Sequence, residues 1–273
     1  MKFVVDHDLH IHSRLSNCAS IYTDQTPERI LQHAKDHNLK TICLTDHYWD
    51  DAVPGASTWY QVQNYPHVIE SKPLPQAEGI RFHFGCECEM TKENTLALPP
   101  ERFDDFDFII IPTTHMHMRK YTIPLEEEHN LEGRKALWIN RLDALLNMDI
   151  PFHKFGVAHL TCGLIWHFDY ETEMRYLNVL DSIEDSELRR LFTKAAQVGL
   201  GIELNMDDMR VGITHERGES ILRIYRIAKE CGCKFYCGSD AHSPTSFERF
   251  LPTLEKVVDI LGLTEDDKID FCK

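Results

Sequence analysis

No apolar run in this sequence approaches the roughly 18 residues that a membrane-crossing helix needs, and no stretch gathers the basic side chains. There is no low-complexity tract and no internal repeat. The first absence excludes a helical membrane span. The second matters because 29 Lys and Arg stand against 44 Asp and Glu, a formal net charge of -15. Such a chain repels a nucleic-acid backbone unless its cations cluster. The nine cysteines lack the spacing of a structural zinc site: Cys86-x-Cys88 and Cys231-x-Cys233 are closer than paired ligands usually are. Nine is also an odd number for a disulfide framework. The N-terminal apolar run ends at Asp6, too early for a signal peptide. Together these features predict reduced thiols and a cytoplasmic protein with no membrane partner.

What is present is an ordinary globular composition, 42% hydrophobic and 27% charged over 273 residues. That is enough to bury a sizeable core in one large domain. Short apolar runs rich in Ile, Val and Phe occur at Phe3–His10, Thr41–Thr45, Ile80–Cys86, Phe106–Thr113, Phe155–Ala158, Leu200–Asn205 and Phe235–Gly238. They read as strands buried on both faces, hence parallel. Helical patterns separate most of them. Thr26-Pro27-Glu28 supplies a cap, a first-turn proline and an acid before Ile30, Leu31 and Ala34. Similar periodicities run through Trp138–Leu146, Leu188–Val198, Ile221–Ala228 and Leu254–Leu261. The alternation predicts an α/β fold, a distorted seven-stranded β/α (TIM-like) barrel over residues 1–273, with residues 48–79 as a long loop across one face.

Nearly every predicted strand ends in side chains able to ligate a metal: Asp8, His10 and His12; Asp46 and His47; Glu87 and Glu89; His115 and His117; His159; Glu203 and Asn205; Asp240 and His242. In a β/α barrel these ends converge on one face. A single His or Asp after a strand is usually a cap or a solvated side chain, but the outer surface has no reason to sort them into this phase. His10 and His12, two residues apart, lie on the same side of a strand. Mixed imidazole and carboxylate donors suit Zn, Mn or Fe, in a number that predicts two or three divalent ions. Glu89 and His117 share the faces of Glu87 and His115 and rank behind them. His33 and His37 are expected on the solvent side of the first helix, and His153 and His167 away from any metal.

The segments Asp8-Leu9-His10-Ile11-His12-Ser13, Thr45-Asp46-His47, Gly85-Cys86-Glu87, His115, Ala158-His159 and Ser239-Asp240-Ala241-His242, in this order, resemble the PHP (polymerase and histidinol phosphatase) superfamily. The resemblance implies a phosphoesterase with three metals. His10, His12, Glu87 and Asp240 would hold the first, and Glu87 would bridge to a second held also by His115 and His159. The third would use His47, His242 and position 18, commonly His in the family and here Cys18, whose thiolate would favour Zn or Fe. Glu203–Arg210 is similar to a segment of PHP histidinol phosphatases in which an Asn precedes a phosphate-binding Arg by five residues. That likeness assigns phosphate binding to Arg210, although Asp207 and Asp208 replace small residues there.

The implied reaction is hydrolysis of a small-molecule phosphate monoester by a metal-activated water, with Asp8 among the candidates to protonate the leaving alcohol. Two rivals share the residues: cleavage of a nucleotide phosphate or phosphodiester, and a metal-binding module without catalysis. Substrate choice is expected from loops 48–79, 115–130 and 159–170.

Overall fold

The computed structural model describes residues 1–273 except 168 and 170–172, so the end of the expected substrate loop 159–170 lies outside the described residues. In chain order the elements are β1 (His7–Ile11), α1 (Pro27–Asp36), β2 (Thr41–Leu44), β3 (His47–Tyr48), α2 (Tyr65–Val68), β4 (Arg81–Phe84), β5 (Cys86–Cys88), β6 (Ile109–Ile111), α3 (Leu131–Leu146), β7 (Phe155–Val157), α4 (Arg175–Ser182), α5 (Asp185–Val198), β8 (Gly201–Asn205), α6 (Met206–Thr214), α7 (Glu219–Glu230), β9 (Lys234–Gly238) and α8 (Phe250–Leu261). All strand pairs are parallel.

Among the described residues nine strands in two sheets stand where seven were expected: one sheet of order β1-β2-β4 and one of order β3-β5-β6-β7-β8-β9. β2 fills the second expected strand, Thr41–Thr45, and β3 follows beyond it; the third, Ile80–Cys86, covers β4 and only the first residue of β5. Gly85 stands between β4 and β5, where a Cβ would collide with the Phe108 carbonyl and the Cys43 Sγ. β1 meets the end of β9 through one isolated bridge, Ile11 to Ala241, with Asp240 N donating to His10 O (2.8 Å) and His12 N to Ala241 O (3.2 Å). These contacts bring the two sheets together at β1 and β9, and the departure from the expected barrel lies in the number of strands.

The helices follow from local chemistry. Thr26 caps α1, accepting from Arg29 N, and Pro27 fills its first turn. Three helices, α2, α4 and α6, have no counterpart among the helical patterns of the sequence. α6 starts directly from β8 because the Asn205 side chain accepts from both Asp207 N (3.0 Å) and Asp208 N (3.3 Å). The first strand begins at His7, not Phe3, because Phe3 N is drawn to Leu263 O at the other end of the chain (3.2 Å). Residues 48–79 hold Tyr48 of β3, the short helix α2 and much irregular chain, and Trp49 and Tyr60 within them are buried.

His33 does not face solvent. It is 2% exposed, stacks on Phe247 at 3.9 Å between ring centroids, and its Nε2 lies 3.2 Å from Asp8 Oδ2. The core lies between strands and helices, and a second cluster of Leu9, Cys43, Phe108, Ile110 and Tyr236 is closed by Ile269 and Cys272. Among the described residues no helix is long and apolar enough to cross a membrane.

Candidate metal centre

Among the described residues the fold gathers nine side chains from seven places in the chain into three groups, the first and last sharing His12: His10, His12 and Asp240; Glu87, His115 and His159; and His12, Cys18, His47 and His242. Within each group one candidate ligand atom per residue lies within 4.8 Å of the others. Glu87 stands between the groups. Its Oε2 is 3.6 Å from His10 Nε2, 3.4 Å from His12 Nε2 and 2.8 Å from His47 Nδ1. Its Oε1 is 3.0 Å from His159 Nε2 and 3.8 Å from His115 Nε2. Asp240 closes the first group, with Oδ1 3.2 Å from His12 Nε2 and 3.4 Å from His10 Nε2.

The outward ring nitrogens decide how the inward ones present themselves. His10 Nδ1 faces Glu203 Oε1 at 2.7 Å, His115 Nδ1 faces Glu89 Oε1 at 2.6 Å, and His242 Nδ1 faces the Asp240 carbonyl at 2.7 Å. These partners only accept, so each Nδ1 carries the proton. His12 Nδ1 lies 3.0 Å from Ser16 Oγ, whose own hydrogen goes to Asp46 Oδ1. His159 Nδ1 lies 3.0 Å from Thr114 Oγ1, which donates to His159 O. Both hydroxyls must therefore accept. In the neutral rings every Nε2 is then a lone pair, and the Nε2 atoms of His10 and His12 point at one another 3.1 Å apart. Lone pairs at that distance repel unless a proton or a metal cation is shared between them. Buried Glu87 Oε2 and His47 Nδ1, 2.8 Å apart, form an ion-pair contact but no well-directed hydrogen bond to one another or to any other described residue. Imidazoles with fixed tautomers around shared carboxylates fit transition-metal ions.

Electrostatics agree with that fit. Burial would raise the Asp240 carboxyl, but His10, His12 and His242 hold it well below the ordinary carboxylate range. Glu87 is lowered in the same way against its burial, by His47 and His10 first. Burial also raises the Cys18 thiol, and the neighbouring His47 and His242 outweigh this to bring it down to about 7. Backbone geometry contributes: His159 (φ 27°) and Asp240 (φ 51°) are left-handed, a conformation that non-glycine residues rarely adopt and that concentrates at functional sites. Gly238 makes room for the His10–Glu203 pair, since a Cβ there would overlap Glu203 Oε1 and press on His10 Cβ.

Asp8, expected as a proton donor, is fully buried and absent from the pocket wall. Its Oδ1 accepts from Ser239 N (2.9 Å) and its Oδ2 faces His33, so the structure places it behind the turn that carries Asp240. Of the paired choices, Glu87 takes the central position, and Glu89 holds His115 and the Tyr60 hydroxyl (2.5 Å). His117 lines the pocket beside His115. Arg210 lies on α6, not on a loop, half exposed and 3.3 Å from Asp207 Oδ1, and faces the same pocket. Asp208 is turned inward to Thr161 N and Oγ1 (3.0 and 2.8 Å). Ser16 and Thr114 carry no role that the sequence assigns, and Glu203, a candidate ligand by its strand-end position, instead holds His10 Nδ1 and His159 N.

The three groups open on a cavity of about 770 Å³ whose wall adds Trp59, Tyr60, Met118, Leu164, Val211 and Arg210. The family model for the PHP domain matches residues 8–207. The chain belongs to the PHP domain family. Relatives of this PHP protein include a probable phosphatase of Thermoanaerobacter sp. strain X514, 27% identical over 271 residues, covering 97% of this chain and 89% of the relative. Another probable phosphatase, from Caldicellulosiruptor saccharolyticus, is 23% identical over 242 residues and covers 88% of this chain and 83% of its own. The fold is that of the histidinol phosphate phosphatase of Lactococcus lactis, solved with zinc, L-histidinol and phosphate. The TM-score is 0.57 at 18% identity, with 97% of this chain and 99% of the other covered.

Proposed function

We propose that this PHP domain is a metal-dependent phosphoesterase that hydrolyses the phosphate monoester of a small molecule, as an enzyme of the histidinol-phosphatase type. The observation that carries the proposal is Glu87, whose two oxygens face different ligand groups at the floor of a pocket that also presents a guanidinium. His10, His12, Glu87 and Asp240 would hold one ion, Glu87, His115 and His159 a second, and Cys18, His47 and His242 a third. Divalent ions held there supply the Lewis acidity that activates water and takes up charge on phosphoryl oxygens.

The protein's own groups do the rest. Glu203, Ser16, Glu89 and Thr114 hold the imidazoles in direction and tautomer. Asp8 orders the turn of Asp240. Arg210 offers a planar fork to two phosphate oxygens, and the apolar wall of Trp59, Met118, Leu164 and Val211 receives the alcohol end and excludes water. A phosphatase panel with added Mn, Zn or Fe, including nucleotides and phosphodiesters, tests this directly. No release of phosphate from any monoester under any of the metals would overturn it.

Arg210→Ala should raise KM about tenfold or more and leave kcat within about threefold, since the guanidinium grips ground and transition states alike. Steady-state kinetics on the best monoester decides, and an unchanged kcat/KM would remove Arg210 from the site. Cys18→Ser should lower the metal content by one equivalent while the other ions persist, and Cys18→His should restore it, by elemental analysis. If metal content and activity ignore Cys18→Ser, Cys18 holds no metal.

A further inference from the structure

α3 turns three polar side chains inward at positions i, i+4 and i+7: Arg134, Trp138 and Arg141, each 1% exposed. All three donate to backbone carbonyls. Arg134 Nη1 reaches Met116 O at 2.6 Å, and Trp138 Nε1 reaches Leu160 O at 2.9 Å. Arg141 alone holds four carbonyls: Thr113 through Nε (2.6 Å), Thr91 and Thr122 through Nη1 (3.3 and 2.5 Å), and Met90 through Nη2 (3.1 Å).

The carbonyls so held are not scattered. Met116 follows His115, Leu160 follows His159, and Met90 follows Glu89, the carboxylate that fixes the His115 ring. Thr122 in turn donates its hydroxyl to His115 O (2.5 Å). We propose that the Arg134–Trp138–Arg141 face of α3 is the positioning element of the Glu87–His115–His159 group, setting the direction of both imidazoles toward the metal they share. This rests on the reading of that group as a metal site.

The physical argument is one of opposed magnitudes. Burying a guanidinium costs several kcal/mol, and apolar side chains of similar volume often stabilise a core better. Burial brings the Arg141 pKa down to about 10, with Glu89 pushing the other way, so the group stays charged at neutral pH. What an apolar residue cannot do is satisfy four loop carbonyls at once from five donors in one plane. Loops move unless their backbone groups are tied, and a metal site tolerates only about 0.5 Å of misplacement. A helix carrying a rigid fork meets both demands.

Chelator-buffered zinc titration of the full chain, with elemental analysis, tests the role. Arg141→Met should weaken one class of zinc sites by about 10–100-fold, the range for loss of groups that orient ligands. That class should be the one missing in His159→Gln, and the other classes should be unchanged. Trp138→Phe keeps the packing and loses one donor, so it should weaken the same class by about threefold, and it decides the matter if Arg141→Met does not fold. Leu145→Ala, also buried on α3, is the control: it should lower Tm by several degrees with zinc affinities unchanged. The proposal is overturned if the variants titrate like the parent chain, or if Leu145→Ala weakens the same class. A parent chain that takes up no zinc would instead defeat the metal-site reading, and the positioning role with it.

Discussion

Asp240→Asn should lower phosphomonoester turnover by about a thousandfold or more, about 4 kcal/mol of transition-state stabilisation, and leave the fold intact. The substitution keeps the shape of the side chain and removes its charge. Asn also tolerates the left-handed backbone that Asp240 adopts (φ 51°). The bonds that hold the turn, Asp240 N to His10 O between main chains and the His242 ring Nδ1 to Asp240 O, do not involve the carboxylate. What disappears is the anion that His10, His12 and His242 face, and with it a ligand of the first metal. Turnover measured at saturating metal, beside a thermal melt, checks the expectation. A loss below about tenfold would show that Asp240 is not part of the reacting centre.

Stripping the purified protein with a chelator should abolish activity and lower Tm by about 10 °C, both recovered on adding Zn, Mn or Fe. Without metal ions the buried imidazoles and carboxylates of the centre are left to share protons, as at the 3.1 Å approach of His10 Nε2 to His12 Nε2. Ions bound about a thousandfold above their Kd stabilise a fold by about 4 kcal/mol, and each kcal/mol moves Tm by about 2–4 °C for a chain of this class. Elemental analysis after metal-supplemented expression should find two or more equivalents. Less than about one equivalent of any divalent metal would remove the multinuclear centre.

Much of this centre is legible in the amino-acid sequence, for a geometrical reason. Side chains alternate along a strand, and parallel strands aligned in one direction bring their C-terminal ends together. His10 with His12, Glu87, His115, His159 and Asp240 can thus be picked out by their phase after successive apolar runs. Membership of the PHP family is legible in the same residues. Helices with a cap and a clean period, such as α1, are equally open. α6 is not, because Asn205 looks like a strand-end ligand when it is also the cap of the next helix.

Which face of each strand carries side chains able to ligate a metal follows from the sequence alone, because alternation is a local property of the chain. The sequence could not determine depth along that face: Asp8, His10 and His12 share one parity, yet Asp8 lies beneath the centre, bonded to Ser239 N. Nor could it pair residues across distance. His10 meets Glu203 at a separation of 193 residues and His115 meets Glu89 at 26, and no spacing rule names such partners. A periodicity reading sorts arginines to the outside of a helix, so Arg134 and Arg141 could be found buried behind His115 only once α3 was packed. Those decisions belong to the tertiary structure, because they depend on which loops arrive at the same point in space and which of their carbonyls need a donor.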